Sequence, residues 1–67
     1  MEIKLNNQTQ ILQEKCSLQQ LMDEFMPQKQ KGIAIAVNQT VIPKANWQEH
    51  FLHSHDDVLI IRATQGG

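Results

Sequence analysis

Apolar and polar residues follow one another with strand-like and helix-like spacing in successive short segments of the chain. In residues 1–5, the apolar side chains of Ile3 and Leu5 alternate with charged ones, which predicts a half-buried strand. The pair Asn6-Asn7 then favours a tight hairpin turn, because asparagine tolerates left-handed backbone. A second strand, roughly Thr9 to Gln13, is polar enough to lie at the edge of a sheet.

The segment that begins at Ser17 carries the signals of a helix. Ser17 and Gln20 have the spacing of a capping box, in which each side chain bonds to the backbone N–H of the other residue. Four apolar residues follow at i, i+3, i+4 and i+7 and share one helix face: Leu18, Leu21, Met22 and Phe25. Pro27 is expected to end this helix, because proline lacks an N–H donor and disfavours helical geometry in the residue before it.

A second hairpin is predicted after Gly32. Ile33 to Val37 alternates large and small apolar residues, Asn38-Gln39 forms a two-residue turn, and Thr40 to Ile42 returns as a strand that Pro43 ends. The irregular segment that follows contains three residues that we expect to anchor a helical turn against the core: Trp47, Phe51 and Leu52.

The run from Val58 to Ile61 is continuously apolar and rich in branched side chains. Such a run is typical of a central strand that is covered on both faces and often has a parallel neighbour. The predicted order is therefore strand, strand, helix, strand, strand, helical turn, strand. This order indicates an α+β fold, with one main helix packed across one face of a mixed five-stranded sheet. If the last strand lies beside the first, the architecture is a β-grasp.

Composition and charge exclude several classes of function. With 19% charged residues and a formal net charge of −1, the chain has no basic field for a nucleic-acid backbone. No apolar run is long enough to span a membrane, and we find no signal peptide. The single cysteine, Cys16, rules out an internal disulfide and suits a reducing compartment. We therefore expect a cytoplasmic domain that binds neither nucleic acid nor membrane.

Two groups of residues suggest chemistry, and we favour a structural interpretation of both. Metal-ligating residue types occur close together in one loop: His50, His53, His55, Asp56 and Asp57. However, Glu49 precedes His50, so the His-Glu-x-x-His order of zinc hydrolases is absent, and we expect solvated histidines and no metal. Cys16 precedes a helix N-terminus, a place that can lower a thiol pKa, but a partly buried structural cysteine is the preferred interpretation.

Several features of the chain occur together: Gly32 to Pro43, then Trp47, His50 and Asp56, and the terminal Gly66-Gly67. In these features the chain resembles the ThiS family, the sulfur carrier proteins of thiamine biosynthesis. The resemblance covers most of the chain and is clearest from Gly32 to the end. One departure concerns the loop before the last strand, where the family usually has an acidic-glycine-acidic turn and this chain has Ser54-His55-Asp56. His55 would then occupy a position with positive φ, at a cost of about 1 kcal/mol.

The resemblance implies a ubiquitin-like β-grasp domain over residues 1–63 and a flexible tail over residues 64–67. It further implies a carrier without enzymatic activity, metal or bound cofactor. By this resemblance, we expect a ThiF-like enzyme to use ATP to adenylate the carboxylate of Gly67, and a persulfide donor to convert it to a thiocarboxylate. We expect the thiocarboxylate to donate its sulfur at the thiazole synthase. Gln65 and Gly66 would enter the channel of the partner, where glycine lets other groups approach its backbone closely.

The resemblance also suggests a role for the apolar run before the tail. One helix covers only one face of a sheet, so two of the four residues must point away from it. We expect one alternating pair to dock the activating enzyme, because exposed apolar patches often mark partner sites. The two candidate pairs are Val58 with Ile60 and Leu59 with Ile61.

Three other functions remain open at this point. The small subunit of molybdopterin synthase, a MoaD-like carrier, also ends in Gly-Gly. A ubiquitin-like modifier starts from the same adenylate but is joined to lysines. The third alternative is a β-grasp interaction module with an inert tail.

Overall fold

The computed structural model describes residues 1–26 and 32–62 of the 67-residue chain. Its elements are β1 (Glu2–Leu5), β2 (Gln8–Ile11), α1 (Leu18–Phe25), β3 (Ile33–Val37), β4 (Thr40–Ile42), a 3₁₀ turn (Lys44–Asn46) and β5 (Asp57–Arg62). The strands form one sheet in the order β2-β1-β5-β3-β4, in which β1 and β5 are parallel and the other neighbours are antiparallel. The predicted α+β class and the insertion of the last strand beside the first are confirmed. The second strand begins and ends slightly earlier than predicted.

Both predicted two-residue turns are confirmed by their backbone geometry. Asn6 and Asn7 have φ of 50° and 68°, and Asn38 and Gln39 have φ of 50° and 71°. Positive φ at both central residues matches the twist of a two-residue hairpin, and asparagine adopts it more readily than most side chains. The turn residues therefore fix the register of both hairpins.

Helix α1 begins with the predicted capping box. The backbone N–H of Gln20 donates to Ser17 Oγ at 3.2 Å, and the backbone N–H of Ser17 donates to the side-chain oxygen of Gln20, Oε1, at 2.9 Å. The helix ends at Phe25, while Pro27, the predicted stop, lies outside the described residues. Phe25 is itself exposed, so the buried stripe ends one turn earlier than the apolar spacing predicts.

The core lies between α1 and the face of the sheet that it covers. Its buried members are Ile3, Leu5, Leu12, Leu18, Leu21, Met22, Ile35, Val37, Trp47, Leu52 and Val58. Trp47 is buried and donates its indole N–H to the Ile42 carbonyl at 2.9 Å, which ties the segment after β4 to that edge strand. The predicted anchoring by Trp47 and Leu52 is confirmed, whereas Phe51 is about half exposed, at 48%.

The Asn38 side chain joins the β3–β4 turn to the beginning of β5. Its Nδ2 donates to Asp56 Oδ1 at 3.0 Å, and its Oδ1 accepts from the Asp57 amide at 2.9 Å. Asp56 is buried, and its second carboxylate oxygen accepts from the His53 amide at 2.8 Å. Each oxygen of this buried carboxylate therefore has a donor, as burial of a charged group requires.

The loop before β5 has the backbone conformation that the resemblance stated above implies. His55 has a φ of 71°, and its amide donates to the Glu2 carbonyl at 2.6 Å. This left-handed conformation disfavours most side chains, and histidine is among the residues that tolerate it better. The loop thus keeps a turn for which glycine would be the least strained residue.

We predict that His55→Val lowers the free energy of unfolding by about 1–2 kcal/mol relative to His55→Gly, because a β-branched residue is strained at positive φ. Urea denaturation of the two variants measures the difference. The same pair of changes at the neighbouring Ser54, where φ is not positive, serves as the control. An equal difference at both positions would show that the φ of His55 does not determine the effect.

We also predict that Asn38→Gly lowers the free energy of unfolding by about 1–3 kcal/mol, because it removes two hydrogen bonds at the start of β5. Gln39→Gly is the matched control, since Gln39 has a similar positive φ. Thermal denaturation of both variants makes the comparison. If Asn38→Gly is as stable as Gln39→Gly, the side-chain bonds of Asn38 do not stabilise the fold.

Candidate functional site

Strand β5 carries the four candidate docking residues and presents them on two different faces. Val58 is fully buried and Ile60 is half-buried, on the side covered by α1. Leu59 and Ile61 point to the opposite face and are 44% and 45% exposed. The prediction that two of the four residues point away from the helix is therefore confirmed, and the exposed pair is Leu59 with Ile61.

The expectation that this strand is covered on both faces is wrong. Helix α1 packs against one face, and among the described residues no element covers Leu59 and Ile61. Continuous apolar runs are typical of strands buried on both sides, but a sheet with a single helical layer cannot bury both. Val58 belongs to the core and is therefore not available to a partner.

The exposed pair belongs to a larger apolar surface formed across three strands. In the sheet register, Leu59 is opposite Ala36, which is opposite Val41, and Ile61 is opposite Ala34. Val41 is 61% exposed. We call the five residues Ala34, Ala36, Val41, Leu59 and Ile61 the outer patch. The two alanines place small side chains between the larger ones, so the surface is shallow.

Sequence reasoning did not assign Val41 to this surface. The signal was present, because the predicted hairpin turn at Asn38-Gln39 already places Val41 opposite Ala36. Once β3 is known to pair with β5, the register of β3 with β4 extends the patch from β5 to all three strands.

The predicted tail residues Gln65, Gly66 and Gly67 lie outside the described residues, as does the predicted boundary between domain and tail. Ile61 is the last outer-patch residue in the chain, and it lies three positions before residue 64, where the predicted tail begins. A partner that engages the tail would therefore meet the outer patch close to the point where the tail begins.

Cys16 has the environment of a structural thiol. Its side chain is half-buried, and its Sγ–H donates to the Ser17 carbonyl at 3.5 Å. Burial raises the pKa of the Cys16 thiol, and the nearby Glu24 carboxylate raises it further. A position before a helix N-terminus can lower a thiol pKa, but here desolvation and a like charge both oppose the thiolate, in agreement with the preferred structural interpretation.

Backbone groups of the histidine-rich loop and the Asp56 carboxylate form hydrogen bonds within the fold. Within residues 1–26 and 32–62, no three metal-ligating side chains come together. The His50 carbonyl accepts from the Leu18 amide, and Asp56 is engaged by Asn38 and the His53 amide. In the part of the chain that is described, no helix is long and apolar enough to cross a membrane.

Comparison with known proteins adds an independent finding. The sequence model of the ThiS family matches residues 1–67. The sulfur carrier protein ThiS of Escherichia coli (strain K12) is 30% identical over 70 residues, which covers 100% of both chains. The crystal structure of a thiamine biosynthesis protein (ThiS) from Geobacter metallireducens superposes with a TM-score of 0.88 over 100% of both chains, at 14% identity. The structural similarity supports the ubiquitin-like β-grasp fold, and the match along the entire sequence establishes that the chain belongs to the ThiS family.

Proposed function

We propose that this chain is a sulfur carrier of thiamine biosynthesis, whose Gly67 carboxylate is activated and then loaded with sulfur. The observation that carries the proposal is the match to the ThiS family over residues 1–67, together with 30% identity to a sulfur carrier of the same extent. The outer patch supports the proposal independently, because it offers a docking surface next to the tail.

The proposed chemistry takes place on the chain terminus and requires catalytic groups from partners. In the site of a ThiF-like adenylating enzyme, the Gly67 carboxylate, ionised at neutral pH, attacks the α-phosphorus of ATP and releases pyrophosphate. The terminal sulfur of a persulfide then displaces AMP, and a second thiol cleaves the S–S bond to leave a thiocarboxylate. The thiocarboxylate transfers its sulfur at the thiazole synthase.

The tail composition suits this role. Glycine lacks a Cβ, so a narrow channel can enclose the backbone of Gly66 and Gly67 and bring partner groups close to the carboxylate. Gln65 would occupy the entrance of the same channel. The carrier thus needs no metal or bound cofactor, since ATP is held by the enzyme.

The outer patch supplies the docking surface in this proposal. Leu59, Ile61 and Val41 keep apolar area in water in the free chain, and covering that area with the enzyme contributes favourable free energy. Because the patch extends to within two residues of the described C-terminal end, docking would also direct the tail toward the enzyme site.

The function is tested by incubating the chain with a ThiF-like enzyme, ATP and a persulfide donor, followed by intact-mass spectrometry. The expected product carries one sulfur in place of one oxygen at Gly67. Subsequent incubation with thiazole synthase and the precursors of the thiazole ring, which accept the sulfur, should return the original mass. An isopeptide-linked product, or activation only with molybdopterin synthase components, would contradict the proposal.

We predict that deleting Gly67 abolishes ATP–pyrophosphate exchange with the adenylating enzyme while the melting temperature stays within about 2 °C of the native value. Gly66→Val should still bind the enzyme but should form the adenylate more slowly, because its side chain meets the wall of the channel. Gly66→Ala, which adds only a Cβ, is the matched control and should have an intermediate rate. A shortened chain that is still adenylated would contradict the assignment of Gly67.

We predict that Leu59→Lys and Ile61→Lys each weaken binding to the adenylating enzyme about tenfold or more, while each changes the free energy of unfolding by less than about 1 kcal/mol. Val58→Ala should instead destabilise the domain by about 1–3 kcal/mol. Calorimetric titration and urea denaturation measure the two properties separately.

The control for docking is Ile11→Lys, since Ile11 is 73% exposed on the same sheet face. Ile11 lies on β2, and strand spacing and register place it about 20 Å from Ile61. Ile11→Lys should leave affinity unchanged. A loss of affinity equal to that of Leu59→Lys would show that any exposed apolar residue has the same effect.

A further inference from the structure

The two sides of β5 are paired to different extents. On one side, β3 pairs with β5 from Val58 to Arg62. On the other side, the register with β1 covers only Asp57 and Val58, because β1 ends at Leu5 and the chain turns back. Among the described residues, no strand accompanies residues 60–62 on the β1 side.

The backbone groups on this side can be assigned from the hydrogen bonds that precede them. The backbone N–H of Lys4 donates to the Asp56 carbonyl, and the backbone N–H of Asn6 donates to the Val58 carbonyl, both at 2.9 Å. Alternate residues of a strand direct their backbone groups to the same side, so Ile60 and Arg62 also face the β1 side. The backbone groups of Leu59 and Ile61 face β3.

The Asn6 side chain substitutes for the missing strand at one position only. The Ile60 amide donates to Asn6 Oδ1 at 2.8 Å, which satisfies the first donor beyond the end of β1. The Ile60 carbonyl and the Arg62 amide come next on this side. No hydrogen bond to either group occurs within residues 1–26 and 32–62. We call these two groups the open half-edge.

An enzyme that acts on Gly67 binds within a short distance of the open half-edge. The five residues from Ala63 to Gly67 span at most about 18 Å when fully extended, so the reacting carboxylate cannot be far from Arg62. Covering a backbone donor and acceptor removes their water, and leaving them unpaired is unfavourable. An extended backbone segment presents an acceptor and a donor at the spacing of a strand, and it would satisfy both groups.

We propose that the adenylating enzyme adds an extended segment of its own backbone to β5, accepting from the Arg62 amide and donating to the Ile60 carbonyl. This inference rests on the proposed function. The outer patch lies on the adjacent sheet face, so the same enzyme would contact Leu59 and Ile61 through side chains and the open half-edge through backbone. The turn at Asn6-Asn7 limits the length of the added strand at one end.

The first test compares Arg62→Pro with Arg62→Ala in binding to the adenylating enzyme. Both variants remove the guanidinium, but only proline removes the N–H, and this N–H is not used in the pairing with β3. Arg62→Pro should bind about tenfold more weakly than Arg62→Ala at an equal melting temperature. A synthetic chain with an ester in place of the Ile61–Arg62 amide removes the N–H without adding a ring, and it replaces the proline variant if that variant is less stable. Because the ester also weakens the Ile61 carbonyl as an acceptor toward β3, its binding is compared under conditions in which both chains are fully folded.

The second test measures amide hydrogen exchange by NMR in the free chain and in the complex. The Arg62 amide should exchange quickly in the free chain and become protected in the complex, while the Leu59 amide, paired with β3, is protected in both. Equal affinities of the alanine, proline and ester chains, or an Arg62 amide that remains unprotected in the complex, would overturn the inference.

The outcomes separate this inference from the function on which it rests. A native chain that is adenylated while its Arg62 amide remains unprotected refutes the added strand and leaves the proposed function intact. A native chain that the enzyme neither binds nor adenylates refutes both. Concentration-dependent protection of Arg62 in the absence of enzyme would identify a second copy of this chain as the occupant and would also overturn the inference.

Discussion

The position of β5 between β1 and β3 is the constraint on which the rest of the structure depends. This strand joins the β1–β2 hairpin to the β3–β4 hairpin, since β1 and β3 do not pair with each other. Two turn asparagines hold it by side-chain hydrogen bonds, Asn6 at the Ile60 amide and Asn38 at the Asp57 amide. Because these contacts join residues distant in sequence, the final strand depends on turns formed early in the chain.

The same strand connects the core to the surface that we assign to partners. Its alternation directs Val58 and Ile60 toward α1 and directs Leu59 and Ile61 to the uncovered face. In our proposal, a substitution on one face therefore affects mainly stability and one on the other face mainly binding. This separation leaves apolar area exposed on one face while the core stays buried on the other.

The unequal lengths of β1 and β3 have a consequence for recognition. Where β1 ends, Asn6 satisfies one amide of β5 and leaves the next two backbone groups without protein partners in the described part of the chain. The open half-edge and the outer patch meet at residues 59–62, immediately before the tail. In our proposal, side-chain and backbone recognition by the enzyme converge there, so one docking event positions the Gly67 carboxylate.

The sequence by itself determined the local elements, because their signals lie within a few residues of one another. The capping box at Ser17 and the turns at Asn6-Asn7 and Asn38-Gln39 were predicted from neighbouring residues and confirmed, whereas the positive φ of His55 was expected only from the resemblance to the ThiS family. The resemblance to the ThiS family also indicated the fold and the candidate residues.

Only the tertiary structure decided which residues of β5 are exposed. A continuous apolar run has no polar face, so its sequence cannot distinguish Leu59 and Ile61 from Val58 and Ile60. That choice required the register with β3 and the position of α1. The open half-edge likewise follows from where β1 stops relative to β5, and pairing between strands more than 50 positions apart leaves no local signal in the sequence.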